Sequence, residues 1–253
     1  MAKKEKFLGK TGTPWLDYYY NPWMGCTQIS SGCINCPGKI FIENIHGFAK
    51  WGDNQLRKSG SKKKEEQIRD YKGKKIRIGN TMCDIFDEKI NDKMRHDFFD
   101  LILQSNNITW VLQTKRTLKA YKFLNKHKNK YRKAFKKIWL GISCEDYETL
   151  INRKTHIVSM KILMPIIFVN IMPITEKIDH NFKEFDWVII TIPRDSRLTM
   201  LKPETIDYMC KKINRKTKVF INVPKKGAMN KEKLEIFEKF RMKLKLPEPR
   251  TVF

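Results

Sequence analysis

The sequence predicts an α/β fold in which parallel strands form a single (β/α) barrel, complete or partial. From residue 75 onward, short runs rich in β-branched and aromatic residues recur along the chain. These runs are apolar almost throughout, which is typical of strands that are covered on both faces. Helical patterns separate them, and an alternation of strand and helix produces right-handed crossovers and a parallel sheet.

Seven strands are predicted in order along the chain. The first is at residues 15–20, directly ahead of a cysteine-rich loop. The other six are the β-branched runs at 75–79, 108–112, 138–142, 166–169, 187–191 and 218–223. The cysteine loop therefore follows the first strand of the predicted barrel.

Apolar residues at helical spacing predict the helices between these strands. One face of residues 91–104 carries Met94, Phe98 and Leu101. Similar patterns occur at 118–135, 145–163, 202–215 and 230–243. Residues 172–186 are too short and polar for a full helix, and the lysine-rich stretch at about 52–74 is predicted to be a basic, exposed insertion. We expect residues 1–253 to form one domain.

The composition indicates the class of partner and the compartment. The net charge is +25, from 52 basic and 27 acidic residues, and a nucleic acid or nucleotide is the best explanation for it. No run of about twenty apolar residues occurs, so we expect no membrane span. Six cysteines without a secretory signal indicate a reducing cytoplasm instead of a disulfide framework.

Three cysteines on one short loop are the most specific chemical feature. Cys26, Cys33 and Cys36 lie in a run whose glycines and serines suit tight turns. Three thiolates can hold three irons of a four-iron cluster and leave the fourth iron open for chemistry. Two alternatives remain: a Cys3His zinc centre completed by His46, or a loop without metal.

Polar side chains follow the predicted strands, at the end where such barrels carry their chemistry. The candidates for cofactor or substrate binding are Asp84, Lys115, Arg116, Glu145 and Asn170. Asp84 and Glu145 are equally suited to helix capping. Cys83 and Cys144 are candidate catalytic residues, with buried packing as their alternative role.

A strongly basic segment follows the predicted strand at 108–112. Residues 115–137 include eleven lysines and arginines and no acidic residue. One interpretation is a solvated helix face. The other is a surface for an anionic partner, because like charges at helical spacing repel one another.

The cysteine run resembles the opening of a phage-associated three-cysteine-motif family without an assigned function, which is regarded as related to radical S-adenosylmethionine (SAM) enzymes. The resemblance begins with Trp15 and the run 21–36, and it continues through 82–86, 113–116, 139–145 and 186–189. It covers most of the chain in the same order.

This resemblance implies a radical-SAM-type barrel in which Cys26, Cys33 and Cys36 bind a [4Fe–4S] cluster whose open iron chelates SAM. Reductive cleavage of SAM would then supply a radical that abstracts hydrogen from an unreactive carbon. Asp84 and Glu145 would accept hydrogen bonds from SAM, and the two cations after strand three would bind carboxylate or phosphate. The implied function is a SAM-dependent radical enzyme acting on a nucleic acid or nucleotide, in a bacterial or phage-infected cell, with room for a partner protein encoded nearby.

Several positions depart from the pattern of this family. Six residues, instead of the commoner three, separate the first two cysteines. Met172 stands where relatives carry Glu, and a Gly-Gly-Glu-Ser-Gly turn is replaced by the run around Pro193. These changes favour the alternative function of a non-catalytic, basic nucleic-acid-binding protein whose three-cysteine loop holds a structural metal. A more distant alternative is a zinc-stabilised adaptor.

Overall fold

The computed structural model of the chain describes residues 7–47, 50–193, 201–223 and 231–252, without the side chains of 44–46 and 231–234. The chain forms two compact units, Met1–Trp139 and Leu140–Phe253. Arg194 and Asp195, which follow the predicted strand at 187–191, and Lys225 and Lys226, which follow the one at 218–223, lie outside the described residues, as does the side chain of His46.

The strands of the first unit form an open row and a separate ribbon. In chain order they are β1 (Gly9–Lys10), β2 (Tyr18–Tyr19), β3 (Trp23–Met24), β4 (Lys58–Ser59), β5 (Ile76–Gly79) and β6 (Ile108–Thr114). The row is β1-β2-β5-β6, in which β1 is antiparallel to β2 and the other neighbours are parallel. β3 and β4 pair antiparallel as the ribbon.

Helices follow or connect these strands. They are α1 (Pro37–Ile40), a π-helical turn (Phe41–His46), α2 (Lys62–Arg69), α3 (Asp92–Gln104), α4 (Thr117–Lys126) and α5 (Lys128–Phe135). α3 begins after Asn91, whose side chain accepts a 2.8 Å hydrogen bond from the Met94 N–H and so caps the helix. The helix predicted at 118–135 is two helices, because His127 has a non-helical backbone conformation.

An aromatic cluster holds α4 and α5 against α3. The Phe99 ring centroid lies 5.2 Å from those of both Phe123 and Tyr131, and all three side chains are buried. Phe86 packs on the same cluster, 6.3 Å from Phe123. Buried aromatic pairs at these separations add about 0.5–1.5 kcal/mol each beyond the area they bury. The cluster therefore fixes the position of two helices whose outer faces are strongly basic.

The second unit alternates strands and helices. They are β7 (Ile138–Cys144, within which the chain passes from the first unit to the second), α6 (Tyr147–Val158), β8 (Ile166–Ile171), β9 (Trp187–Thr191), α7 (Pro203–Lys212), β10 (Lys218–Asn222) and α8 (Lys231–Glu238). The strand order is β7-β8-β9-β10, and the β8–β9 and β9–β10 pairs are parallel. β8 and β9 are buried along their whole length, as their continuous apolarity predicts.

The structure therefore has a mixed α/β fold in which eight mostly parallel strands form the two rows. The six β-branched runs are strands, and the predicted first strand is the two-residue β2. A closed barrel is not formed by the described residues. Closure needs both edges of a sheet to be paired, whereas β1 has only β2 as a neighbour and β10 has only β9 in the part of the chain described.

Residues 52–74 include exposed lysines, but the stretch is also anchored. It contains β4 and α2, and the side chains of Arg57 and Ile68 are buried. Residues 172–186 contain no helix, as predicted. No helix within the described ranges is long and apolar enough to cross a bilayer.

Candidate cysteine site

The cysteine loop lies against the segment that follows β5. Gly25 N–H donates to the Met82 carbonyl (3.1 Å), and a Cβ at Gly38 would lie 2.8 Å from the Thr81 carbonyl oxygen. Gly25 has φ +106°, a conformation that side-chain-bearing residues rarely adopt, so glycine is needed just before Cys26. The sequence thus turns sharply at Cys26 and packs closely at Gly38.

Two short helical turns present the other cysteines. Cys33 ends a 3-10 turn at Ser31–Cys33, and Cys36 immediately precedes α1, whose first residue is Pro37. Cys36 N–H donates to the Cys33 carbonyl at 3.2 Å. All three cysteines are half-buried, and none of the six described cysteines forms a disulfide. The loop therefore carries three thiols in reduced form.

Two cations at the end of β6 reach this loop. The buried Arg116 places Nη1 at 3.4 Å from Cys26 Sγ, and its Nη2 donates to the Thr27 carbonyl at 2.9 Å. Arg116 Nε is also buried and has no hydrogen-bond partner among the described residues, although the Glu88 carboxylate is 3.7 Å away. Lys115 Nζ lies 3.4 Å from Ser30 Oγ. The loop thus has positive charge beside two of its cysteines.

The two thiols nearest these cations differ in acidity. Burial and the negative charge of Asp84 raise the pKa of Cys26 to about 12, against the opposing effect of Arg116. Burial also acts to raise the pKa of Cys33. The charge of Lys115 and hydrogen bonds from the Ile29 and Ser30 backbone outweigh it, so the pKa of Cys33 is lowered.

Asp84 orients Arg116 toward Cys26. Its carboxylate accepts hydrogen bonds from Thr114 Oγ1 (2.7 and 2.9 Å), Lys115 N–H (3.1 Å) and Arg116 Nη1 (3.2 Å). It also accepts from the Phe86 N–H at 2.9 Å, and Asp84 is only 7% exposed. Both carboxylate oxygens are engaged within the protein, so in this structure Asp84 positions its neighbours.

Three residues that were not predicted as site residues also secure the loop: Arg57, Asp87 and Asn21. Arg57 donates to the Asp87 carboxylate (2.8 Å) and to Thr27 Oγ1 (2.6 Å), and both ionic side chains are buried. Asn21 Oδ1 accepts from the backbone N–H groups of residues 81 and 82, both at 2.8 Å. Asn21 belongs to the run 21–36 that carries the family resemblance, whereas Arg57 lies in a stretch whose composition indicated an exposed insertion.

The two candidate catalytic cysteines lie in different surroundings. Cys83 Sγ is 3.7 Å from Asn21 Oδ1, and burial together with the charges of Cys26 and Asp84 raises its pKa well above the usual value. Cys144 is fully buried at the end of β7 in the second unit. Cys83 therefore adjoins the cysteine loop as a protonated thiol, and Cys144 occupies a packing position.

The second unit holds the other two predicted contact residues. Glu145 is fully buried and accepts a 2.8 Å hydrogen bond from Arg153. The neighbouring Asp146, not Glu145, caps α6 through a reciprocal pair with Thr149. Asn170 is buried, accepts from Thr191 Oγ1 (2.9 Å), and has Nδ2 3.8 Å from the Met172 sulfur.

The donors that the loop offers to a metal group are three cysteine thiols. Within the described part of the chain, no three His, Cys, Asp or Glu side chains converge to hold one metal ion. A [4Fe–4S] cluster spaces its ligands more widely than a single ion does, because each thiolate binds a different iron. Three reduced thiols on one loop are ligands of the type that such a cluster takes, and Arg116 and Lys115 place positive charge beside Cys26 and Cys33.

A family model matches residues 10–192, described as a protein of unknown function (DUF5131). The chain belongs to this family. Membership of a family without an assigned function is thereby confirmed, and the phage association of DUF5131 stays a prediction. No curated protein matches the sequence.

Two solved structures resemble this DUF5131 chain. Both are variants of spore photoproduct lyase, one of them with a dinucleoside spore photoproduct. The identities are 12% and 11%, with a TM-score of 0.46 in each case and 96% and 94% of this chain covered. The chain spans 66% and 65% of the length of those two proteins.

Proposed function

We propose that this DUF5131 protein is an iron–sulfur enzyme of the radical SAM type that acts on a nucleic acid or nucleotide. The observation that carries the proposal is the pairing of loop thiols with cations: Arg116 lies 3.4 Å from Cys26 Sγ, and Lys115 lowers the pKa of Cys33. Thiolate ligands are anionic, and donors to ligand sulfurs are a principal means by which proteins tune iron–sulfur centres.

The chain's own residues have distinct parts in this proposal. Cys26, Cys33 and Cys36 would hold the [4Fe–4S] cluster, which with bound SAM supplies radical hydrogen abstraction. Arg116 donates to the Cys26 sulfur, and Asp84 holds Arg116 in place. The loop's geometry thus depends on side chains from the end of β6 and the turn after β5.

The remaining candidate residues are proposed to contact SAM or substrate, or to act as catalytic thiols. Lys115 offers a positive charge beside the loop, suited to the carboxylate of SAM or to a phosphate. Cys83 is retained as a candidate catalytic thiol because it lies next to the loop, and Cys144 as a weaker one. Glu145 and Asn170 remain proposed contacts to SAM or substrate.

The net charge of +25 supports a nucleic acid or nucleotide as substrate. A cytoplasmic setting in a bacterial or phage-infected cell, and a partner protein encoded nearby, remain predictions.

One observation favours the alternative, a non-catalytic nucleic-acid-binding protein with a structural metal. In the second unit, the Asn170 amide lies 3.8 Å from the sulfur of Met172, where similar sequences carry Glu. A thioether is a weak acceptor that carries no charge and takes up no proton. A catalytic group at this position would therefore be missing.

Anaerobic reconstitution tests the proposal. We expect about four irons and matching sulfide per chain, and a paramagnetic signal of the reduced protein that SAM perturbs. Cys33→Ala should abolish the signal, whereas Cys210→Ala, which changes a cysteine of α7 in the second unit, should leave it intact. Zinc, or no metal, in the unmodified protein would exclude the enzyme and leave the binding protein.

A further inference from the structure

Exposed basic side chains recur along α4 and α5 and just after α5 in the first unit. The basic face, as we define it, consists of exposed Lys122, Lys126, Lys128, Arg132 and Lys136. Residues 115–137 include no acidic side chain, and no member of the basic face makes an ion pair with a described residue. The positive charge of this face is therefore not neutralised within the part of the chain that the structure describes.

The arrangement of these charges opposes helix stability. Lys122 and Lys126 are four residues apart, as are Lys128 and Arg132, and like charges at this spacing repel. In other helices of the same unit, basic side chains form ion pairs with acidic ones four residues away: Arg69 with Glu65 in α2 and Lys93 with Asp97 in α3. The basic face lacks this compensation, which a bound polyanion would provide.

The helix α4, which carries the first two cations of the basic face, begins beside the cysteine site. Arg116, which contacts Cys26, is followed at once by α4, and its carbonyl accepts the Ala120 N–H at 3.0 Å. The ten residues of α4 extend about 15 Å from that point. The buried side of α4 is fixed by Phe123 and Leu124 in the core. The cations of α4 are thus held at a fixed distance from the loop.

We propose that the basic face binds the phosphate backbone of a polynucleotide, so that the substrate of the cysteine site is a strand instead of a free nucleotide. A free nucleotide needs only the one or two cations beside the loop. A strand carries a phosphate every 3.4 Å or so along its axis, and α4 alone spans about four of these. The substrate part of this inference rests on the proposed function; the binding part does not.

Binding of the full-length protein to an unrelated single strand of about thirty nucleotides, in DNA and RNA forms, tests the inference. The face variant combines Lys122→Gln, Lys126→Gln, Arg132→Gln and Lys136→Gln. The matched control combines Lys62→Gln, Lys64→Gln, Lys72→Gln and Lys75→Gln, which are exposed lysines of the same unit. Both variants lose four positive charges, so a difference between them reports location and not net charge.

We expect the face variant to reduce the slope of log K against log salt by about 3, since each single-strand phosphate contact contributes roughly 0.7. The control should keep the slope of the unmodified protein, and a mononucleotide should show little difference among the three proteins. Stronger binding of either the DNA or the RNA form identifies the strand and supports the inference. Equal slopes in the two variants, or an unchanged slope in the face variant, would overturn it.

Iron analysis of the same preparations separates this inference from the proposed function. If the protein holds four irons and the face variant has the salt slope of the unmodified protein, only the inference about the basic face is contradicted. If the protein holds no iron and the face variant still reduces the salt slope, strand binding is supported and the proposed function as an iron–sulfur enzyme is contradicted. Circular dichroism of both variants should show a melting temperature no lower than that of the unmodified protein, because every substituted side chain is exposed and each variant removes like charge.

Discussion

Arg116 joins the cysteine loop to the row of parallel strands through one guanidinium. It contacts the Cys26 sulfur, the Asp84 carboxylate and the Thr27 carbonyl at the same time. Because its charge and hydrogen bond favour the more negative state of a bound cluster, Arg116→Gln should lower the midpoint potential. A redox titration followed by electron paramagnetic resonance measures this, with Arg132→Gln as a surface control. Equal potentials in the two variants would exclude Arg116 from this role.

Arg57 and Asp87 form a buried ion pair, so removal of one partner leaves an uncompensated charge in the interior. Arg57→Met removes the cation and leaves the Asp87 carboxylate buried without its charge partner. We expect a loss of about 3–5 kcal/mol in the free energy of unfolding, measured with urea. The double variant Arg57→Met with Asp87→Leu should recover much of that loss. If the double variant is as unstable as the single one, desolvation of Asp87 is not the cause.

At the scale of elements, the aromatic cluster determines where α4 and α5 lie. Phe99 is fully buried and contacts Phe123, Tyr131 and Phe135. Phe99→Ala should cost about 3–5 kcal/mol of unfolding free energy through lost burial and a cavity. Phe7→Ala, at a half-buried ring near the N-terminus, is the matched control and should cost less. Similar losses in the two variants would contradict a central place for the cluster.

The sequence predicted most elements because each strand is a continuous apolar run, as in Ile166–Ile171. It missed the break at His127, because both flanking segments have the same helical spacing of apolar residues. It selected Arg116 from its place after a strand. Neither composition nor spacing distinguishes the buried Arg57 from the exposed lysines around it, since its burial depends on Asp87, thirty residues later.

A carboxylate of the second unit makes stability depend on pH. Burial acts to raise the pKa of Glu184, but hydrogen bonds from His180 and Lys154 outweigh it and lower the pKa to about 2. The stabilisation is therefore complete above the unfolded pKa of 4.5 and is lost as pH falls toward 2. We expect about 1–2 kcal/mol. In urea unfolding, the free energy of unfolding of Glu184→Gln should fall less between pH 4.5 and pH 2 than that of the unmodified protein. An equal fall in both proteins would show that Glu184 is not its source.

At the scale of the whole molecule, a net charge of +25 makes the chain repel itself. Added salt screens that repulsion, so the melting temperature should rise with ionic strength. The face variant and the matched control of the basic face both remove four charges and should show a weaker rise. A melting temperature that falls with salt would mean that exposed ion pairs such as Lys93–Asp97 outweigh the general repulsion.

The side chains and backbone groups that hold the cysteine loop come from much later in the chain. Gly25 donates a hydrogen bond to the carbonyl of residue 82, Thr27 accepts one from Arg57, and the Cys26 sulfur contacts Arg116. During synthesis, the loop therefore leaves the ribosome long before the groups that shape it, and it acquires its form only once residue 116 has emerged. Under the proposed function, metal loading would accordingly follow the emergence of residue 116, and a nascent fragment that ends before residue 80 would lack the groups that shape the loop.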